Sequence, residues 1–387
     1  MYKIKTFNNI SEKGLSRLPA GEYDISPEHE NPDAIILRSH KLHDYPVPDS
    51  LLAVGRAGAG TNNVPVVKMS TQGIPVFNAP GANANAVKEL VIAGMLLACR
   101  NICQAWDYAR NVEGSPEQQS KAVEDGKKMY VGYELPGRTL GVVGLGAIGV
   151  YVANAAVVLG MRVVGFDPTI TVKSAWKMSA EVEEMPSVDE LVKQSDFVTF
   201  HVPLLDSTRN LLNAKRIASM KDGAVVLNFA RDGIVDDEAV LEALNSGKLG
   251  AYVSDFPAQN LKGHDRVITL PHLGASTAEA EQNCAIMVAD QIRDYLENGN
   301  IHNAVNFPEI KLARIGSVRL AVANENRPDM VGQISHVLGQ AGVNIQHMRN
   351  ESRGELAYTL MDLDKAIDEG ALSDIKAIDG VLSARQI

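Results

Sequence analysis

The stretch TLGVVGLGAIG, residues 139–149, decides the fold of this chain. It opens as a short apolar run and closes on glycines spaced GxGxxG at Gly144, Gly146 and Gly149. A short apolar run bounded by turn residues reads as a strand buried on both faces. Glycines directly behind it let the backbone turn sharply into a helix. Working outward, further strands are expected at RVVGFD (162–167), FVTFHV (197–202), AVVLNFA (224–230), AYVSDF (251–256) and VITLPH (267–272). Most gaps between them are long enough for a crossover helix, as parallel pairing requires. This part of the chain therefore predicts an α/β domain with a doubly wound parallel sheet.

The first hundred residues repeat the alternation less clearly, with strands expected in YKIKTF, AIILRS (34–39), LLAVGRAG (51–58) and IPVFNAP (74–80). A single long helix is predicted from Asn83 or Asn85 to Arg110, and the polar segment 111–134 reads as a surface excursion. Behind the second set of strands, residues 276–299 predict a helix capped by Ser276 with Glu279 and ended by Gly299. The tail changes character: strand, helix, two strands, helix, strand, the βαββαβ order of a ferredoxin-like module. Its first helix carries Met330, Val331, Ile334, Val337, Leu338 and Ala341 as an apolar stripe.

Composition narrows the function. Of 387 residues, 45% are apolar and 22% charged, a globular balance calling for two or three domains. A net charge of −10 argues against a nucleic-acid surface. The absence of any run of about 18 apolar residues argues against a membrane span. Cys99, Cys103 and Cys284 make no disulfide framework and no metal motif, so buried thiols, no metal and a cytoplasmic chain are expected.

The glycine turn carries the chemistry. Set between strand and helix, it brings backbone N–H groups and the positive end of the helix dipole to a pyrophosphate. Asp167 ends the next strand, where a carboxylate accepts from a ribose 2′-hydroxyl and repels a 2′-phosphate, so NAD is expected rather than NADP. The strands further on end in LNFARDG and LPHLGAST, placing Arg231 and His272 where ligands of open α/β sheets bind. A guanidinium holds a carboxylate bidentately, and an imidazole exchanges a proton with a hydroxyl or carbonyl oxygen.

With VGRAGAGTNNV, FNAPGANANAVKELVIAGMLLACR, LGVVGLGAIG, FHVPLLDSTRNLLN, LNFARDGIVDDEAVLEAL and PHLGAST, the chain resembles the D-isomer-specific 2-hydroxyacid dehydrogenases over nearly its whole length. The resemblance implies two doubly wound domains of Rossmann-like and flavodoxin-like type. Residues 1–100 and 275–305 would form the substrate domain, and 101–274 the inserted NAD domain. The helix after His272 would return to the first hundred residues.

By position, the resemblance makes Arg231 the substrate-carboxylate arginine and His272 the acid/base. Gly144, Gly146, Ala147, Ile148, Gly149, Asp167, Val202, Phe229, Ala230, Asp255 and Gly274 would meet the cofactor. Arg38, Ser39, Arg56, Gly58, Asn83 and Arg231 would meet a small anionic 2-hydroxy or 2-oxo acid. The activity implied is oxidation of 3-phospho-D-glycerate to 3-phosphohydroxypyruvate on the route to L-serine. Alternatives are reduction of glyoxylate, hydroxypyruvate or 2-oxoglutarate, or a role as an NAD-sensing interaction protein like the corepressors of this fold. The family's glutamate that hydrogen-bonds the histidine is replaced by Asn260, leaving Asp255, Glu279 and Glu281 as candidate substitutes, and the glycine after the arginine is Asp232.

Residues 317–387 resemble an ACT domain through NENRPDMVGQI and AGVNIQ. That resemblance implies an amino-acid effector, L-serine, at Asn324, Asn326 and Asn344. A homodimer or homotetramer is the expected assembly. Asp329 replaces a usual glycine and is expected to cap the helix behind it.

Overall fold

A computed structural model describes residues 1–316 and 318–387; Ser317, where the sequence reading starts the C-terminal module, lies outside the described residues. The chain forms two compact units, Met1–Asn83 with Ala278–Ile387, and Ala84–Thr277. The division thus falls at Asn83 and not near residue 100. The helix Ala84–Cys99 shares its buried Val87, Val91 and Met95 with strands of the second unit.

In the first unit, strands β1 (Tyr2–Thr6), β2 (Tyr23–Ile25), β3 (Ala34–Leu37), β4 (Ala53–Arg56) and β5 (Val76–Phe77) form a parallel sheet in the order β2-β1-β3-β4-β5. β3 is buried at every position, which explains its unbroken apolar run. The helix Ala278–Asn298 returns to this sheet as expected, its Val288, Ala289, Ile292 and Tyr295 sharing a core with Ile4, Ile36 and Phe77. Contact is close because β4 offers Gly55, where any Cβ would strike Val288. The helix starts at Ala278, one residue later than a Ser276 cap requires, and Gly299 ends it at φ 71°.

The second unit holds β6 (Thr139–Val143), β7 (Arg162–Phe166), β8 (Glu183–Glu184), β9 (Phe197–Phe200), β10 (Ala224–Asn228), β11 (Leu249–Ser254) and β12 (Val267–Thr269). All pairings are parallel, in the order β12-β11-β10-β9-β6-β7-β8. Only the edge strands β2 and β8 escaped the sequence reading; β8 is two exposed glutamates with no apolar signal. The long helix predicted to Arg110 breaks after Cys99, where Asn101 takes φ 50°, and resumes at Ile102. Asparagine tolerates this left-handed conformation better than most residues. The expected surface excursion contains a helix, Pro116–Gly126, started by a capping box between Ser115 and Gln118.

The tail folds as β13 (Val318–Glu325), helix Met330–Gln340, β14 (Ile345–Arg353), β15 (Leu356–Leu363), helix Glu369–Ala377 and β16 (Val381–Gln386). Its antiparallel order β14-β15-β13-β16 is the ferredoxin-like one expected. Both faces of β13 and β15 are covered within the first unit, while β14 is exposed along most of its length. Leu320, Val322 and Met361 meet the two helices, while Ala321, Ala323, Tyr358 and Leu360 join the core of the β1–β5 sheet. Arg319 is fully buried at this seam, paired bidentately with Asp362 and donating to the carbonyls of Asn298 and Leu312. Asp329 does not cap its helix: it sits at φ 65° with no side-chain hydrogen bond to the helix start. Its left-handed backbone is one that glycine adopts without strain.

Candidate active site

In the second unit the sheet order reverses between β6 and β9, and that switch point carries the glycine turn. Gly144 leaves β6 at φ 92°, and a Cβ on it would strike the His201 carbonyl and the Val202 side chain at the end of β9. A Cβ on Gly149 would overlap the Gly144 carbonyl. Gly146 precedes the helix Ala147–Val158 with no side chain capping it, which leaves the first N–H groups of that helix for an anion. Asp167 stands across the turn, one carboxylate oxygen accepting from the Leu145 N–H at 2.8 Å and the other from Thr169 N–H at 2.9 Å. The close-approach glycines, the uncapped helix and the acid at the next strand end fit a dinucleotide. They are the residues that would hold it.

Arg231 follows β10 on an exposed turn. Its backbone is pinned by Asn228, nearly fully buried, which donates from Nδ2 to the Arg231 carbonyl at 3.0 Å and accepts from the Ala230 N–H at 3.2 Å. The guanidinium turns back to the Ala230 carbonyl at 2.6 Å. Behind it lies an acidic group, Asp232, Asp236 and Asp237. Burial, reinforced by the charges of Asp232 and Asp236, pushes the Asp237 carboxyl up to about 6.

His272 is exposed at φ 57°, its ring against Phe256 with centroids 5.1 Å apart. Asp255 sets its position. This carboxylate is only 1% exposed and accepts from the N–H groups of Leu273 (2.8 Å) and Gly274 (2.7 Å), while its carbonyl accepts from the His272 N–H at 3.1 Å. Asp255 and Gly274, expected as cofactor contacts, are thus engaged with each other. No hydrogen bond or ion pair reaches the His272 ring among the described residues. Asn260 lies exposed on a 3-10 turn, and Glu281 is taken by Arg38. His201 is half-buried in this unit: Nε2 meets Thr199 Oγ1 at 3.1 Å, Nδ1 has no partner among the described residues, and desolvation drives the ring's pKa down to about 3.

The first unit has its own switch point, between β1 and β3. There Asn8, at φ 66°, accepts the N–H groups of Arg38, Ser39 and His40 on one oxygen. Asn63 donates to the carbonyls of Arg38 and His40, and Arg56 Nε donates to the Arg38 carbonyl at 3.0 Å. The Arg38 guanidinium meets Glu281 at 2.7 Å. Arg56 lies over Gly58, where no Cβ would fit, and Asn83 directly precedes the helix starting at Ala84.

In the tail, Asn324 is nearly fully buried with an unpartnered Oδ1 among the described residues, and Asn326 and Asn344 are exposed. Sequence reasoning missed Asn8, Asn63 and Asn228. Each is an asparagine whose role appears only once distant segments meet.

No metal-holding group of three His, Cys, Asp or Glu exists among the described residues. Nor is any of their helices long and apolar enough to cross a membrane. Burial raises all three cysteine thiols.

Comparison with known proteins gives this arrangement its class. Residues 92–274 match the family model of the D-isomer specific 2-hydroxyacid dehydrogenase NAD binding domain. The chain belongs to the D-isomer specific 2-hydroxyacid dehydrogenases, NAD-dependent oxidoreductases. Among its relatives is the D-3-phosphoglycerate dehydrogenase of Haemophilus influenzae, 35% identical over 87% of this chain and 81% of the relative. That of Escherichia coli is 35% identical over 90% and 84%. The Methanocaldococcus jannaschii enzyme is 37% identical over 84% of this chain, which spans only 60% of that longer relative. A solved NAD+-bound 3-phosphoglycerate dehydrogenase of Entamoeba histolytica shares the fold, with a TM-score of 0.62 and 24% identity over 79% of this chain and 98% of that one.

Proposed function

We propose that the chain oxidises 3-phospho-D-glycerate to 3-phosphohydroxypyruvate with NAD, the step that leads towards L-serine. The observation that carries this reading is the 35% identity to D-3-phosphoglycerate dehydrogenases over 87% and 90% of the chain. NAD, when bound, supplies the hydride acceptor. Arg231 orients the substrate carboxylate through its planar fork. His272 takes the hydroxyl proton onto a ring nitrogen, while Asp255 holds its backbone and Phe256 lies against its ring. Gly144, Gly146, Ala147, Ile148, Gly149, Val202, Phe229 and Ala230 shape the dinucleotide cradle, with Asp167 on the ribose. On the first unit, Arg38, Ser39, Arg56, Gly58 and Asn83 serve the rest of the anion.

The tail is an ACT domain in this reading, with Asn324, Asn326 and Asn344 as its L-serine contacts, in a cytoplasmic homodimer or homotetramer. A panel of 2-hydroxy and 2-oxo acids assayed with NAD and NADP tests the main claim. The phosphorylated acid should give the highest kcat/KM, with NAD preferred and Asp167→Ala narrowing the preference. Highest efficiency with glyoxylate or hydroxypyruvate would replace the reading by a reductase. Tight NAD binding without turnover of any acid would make the chain an NAD-sensing protein.

A further inference from the structure

At the seam of the first unit, where the linker behind Ala278–Asn298 runs between β5 and the β14–β15 turn, lies a cavity of about 310 Å³. Asn78, Pro80, Asn303, Val305, Phe307, Glu309 and Arg353 line it together with Ala304. Its size lies at the low end of small-molecule sites, so it suits a small occupant.

The lining has opposite charges and an apolar part. Arg353 donates one hydrogen bond to the Ala304 carbonyl, at 3.2 Å, and has no carboxylate partner among the described residues. A guanidinium carries five N–H donors in a fork that matches a carboxylate, so most of its capacity is open to a ligand. Glu309 provides the counter-charge, held at 2.9 Å by His302. Phe307 is almost wholly buried and adds an aromatic ring to the lining, and the amides of Asn78 and Asn303 supply further polar groups. A cation, an anion, two amides and an aromatic ring around so small a volume match a molecule with a carboxylate, an ammonium and a short side chain.

We propose that this cavity binds a small zwitterionic α-amino acid, its carboxylate on Arg353 and its ammonium on Glu309. The site is distinct from Asn324, Asn326 and Asn344. It also has a route to the substrate loops of the same unit. Asn78 donates from Nδ2 to the Ala59 carbonyl at 2.6 Å, and the Ala79 N–H donates to the Gly58 carbonyl at 2.9 Å. An occupant touching Asn78 therefore bears on the loop carrying Arg56 and Gly58.

Calorimetry on the full chain with each of the common L-amino acids at millimolar concentration tests the proposal. Propionate serves as a control that lacks the ammonium. At least one amino acid should bind and propionate should not. Arg353→Met and Glu309→Gln should each weaken binding by about tenfold or more, the loss of a charge-assisted hydrogen bond. The bound amino acid should also change KM for the hydroxy acid in wild type and in neither variant. This last readout rests on the dehydrogenase reading, whereas the binding measurement does not. Absence of heat with every amino acid overturns the proposal. Affinity unchanged in Glu309→Gln, the variant that leaves the Arg353–Ala304 bond intact, overturns it equally, and an unchanged KM with ligand bound overturns the link to the substrate loop.

Discussion

Arg231 shows how narrow the chemistry is at the scale of one residue. Its turn is fixed by Asn228 independently of the guanidinium, so Arg231→Lys keeps charge and backbone and loses only the planar fork. That variant should lose roughly a hundredfold or more in kcat/KM while NAD affinity, read by fluorescence titration, stays unchanged. Asp237 makes the opposite point. Its carboxyl is pushed up to about 6, chiefly by burial and then by Asp232 and Asp236. A carboxyl with a raised folded-state pKa adds stability below its unfolded pKa, near 4, and loses it as pH rises through about 6. Asp237→Asn should therefore raise Tm at pH 7 and leave it nearly unchanged at pH 4, which melting curves at the two values would show. His201 acts in the other direction. Its ring resists protonation down to about 3, so its contribution is complete above pH 6.5 and falls away between 6.5 and 3.

Among elements, β13 and β15 depend on a charge pair buried where hydrophobic residues would be expected. Burial pushes the Asp362 carboxyl up, but hydrogen bonds from Arg319 and the Ile315 N–H outweigh it and hold it below its usual range. Arg319 also satisfies the Asn298 carbonyl at the last turn of the helix Ala278–Asn298, tying the tail to the first sheet. Arg319→Met should cost about 3–5 kcal/mol in denaturant unfolding, because it strands a buried carboxylate. Arg319→Met with Asp362→Leu should recover most of that loss. If the double variant proves no better than the single one, the carbonyl contacts of Arg319 matter more than its ion pair.

For the whole molecule, the decisive feature is that the central strands of the C-terminal sheet, β13 and β15, are covered on both faces within the first unit. Ala321, Ala323, Tyr358 and Leu360 share a core with Phe77, Tyr295 and Phe307. Ending the chain at Gly316 should therefore lower the Tm of the remaining unit and expose apolar surface to a hydrophobic dye, whereas a freely tethered module would leave both unchanged. How much of this the sequence foretold follows from what periodicity can report. Apolar runs at 34–37, 139–143 and 197–200 announced strands buried on both faces, because such strands need no polar positions. The glycine spacing behind β6 announced the switch point, because only glycine permits the approaches made by Gly144 and Gly149. His272 and Arg231 were legible as polar residues at strand ends. Their supports were not. Asn228, Asp255, Asn8 and Arg319 act through partners that local patterns cannot name, since one asparagine or aspartate in a sequence looks like any other until the chain brings its donors and acceptors together. The same holds for the cavity at Arg353. The sequence alone determined most of the strands and helices, though not β2, β8 or the helix Pro116–Gly126, and where a dinucleotide turn must lie, because local sterics and apolar spacing depend on near neighbours. Only the tertiary structure decided which buried polar groups meet and what covers the second face of β13 and β15, because those contacts join residues up to hundreds of positions apart.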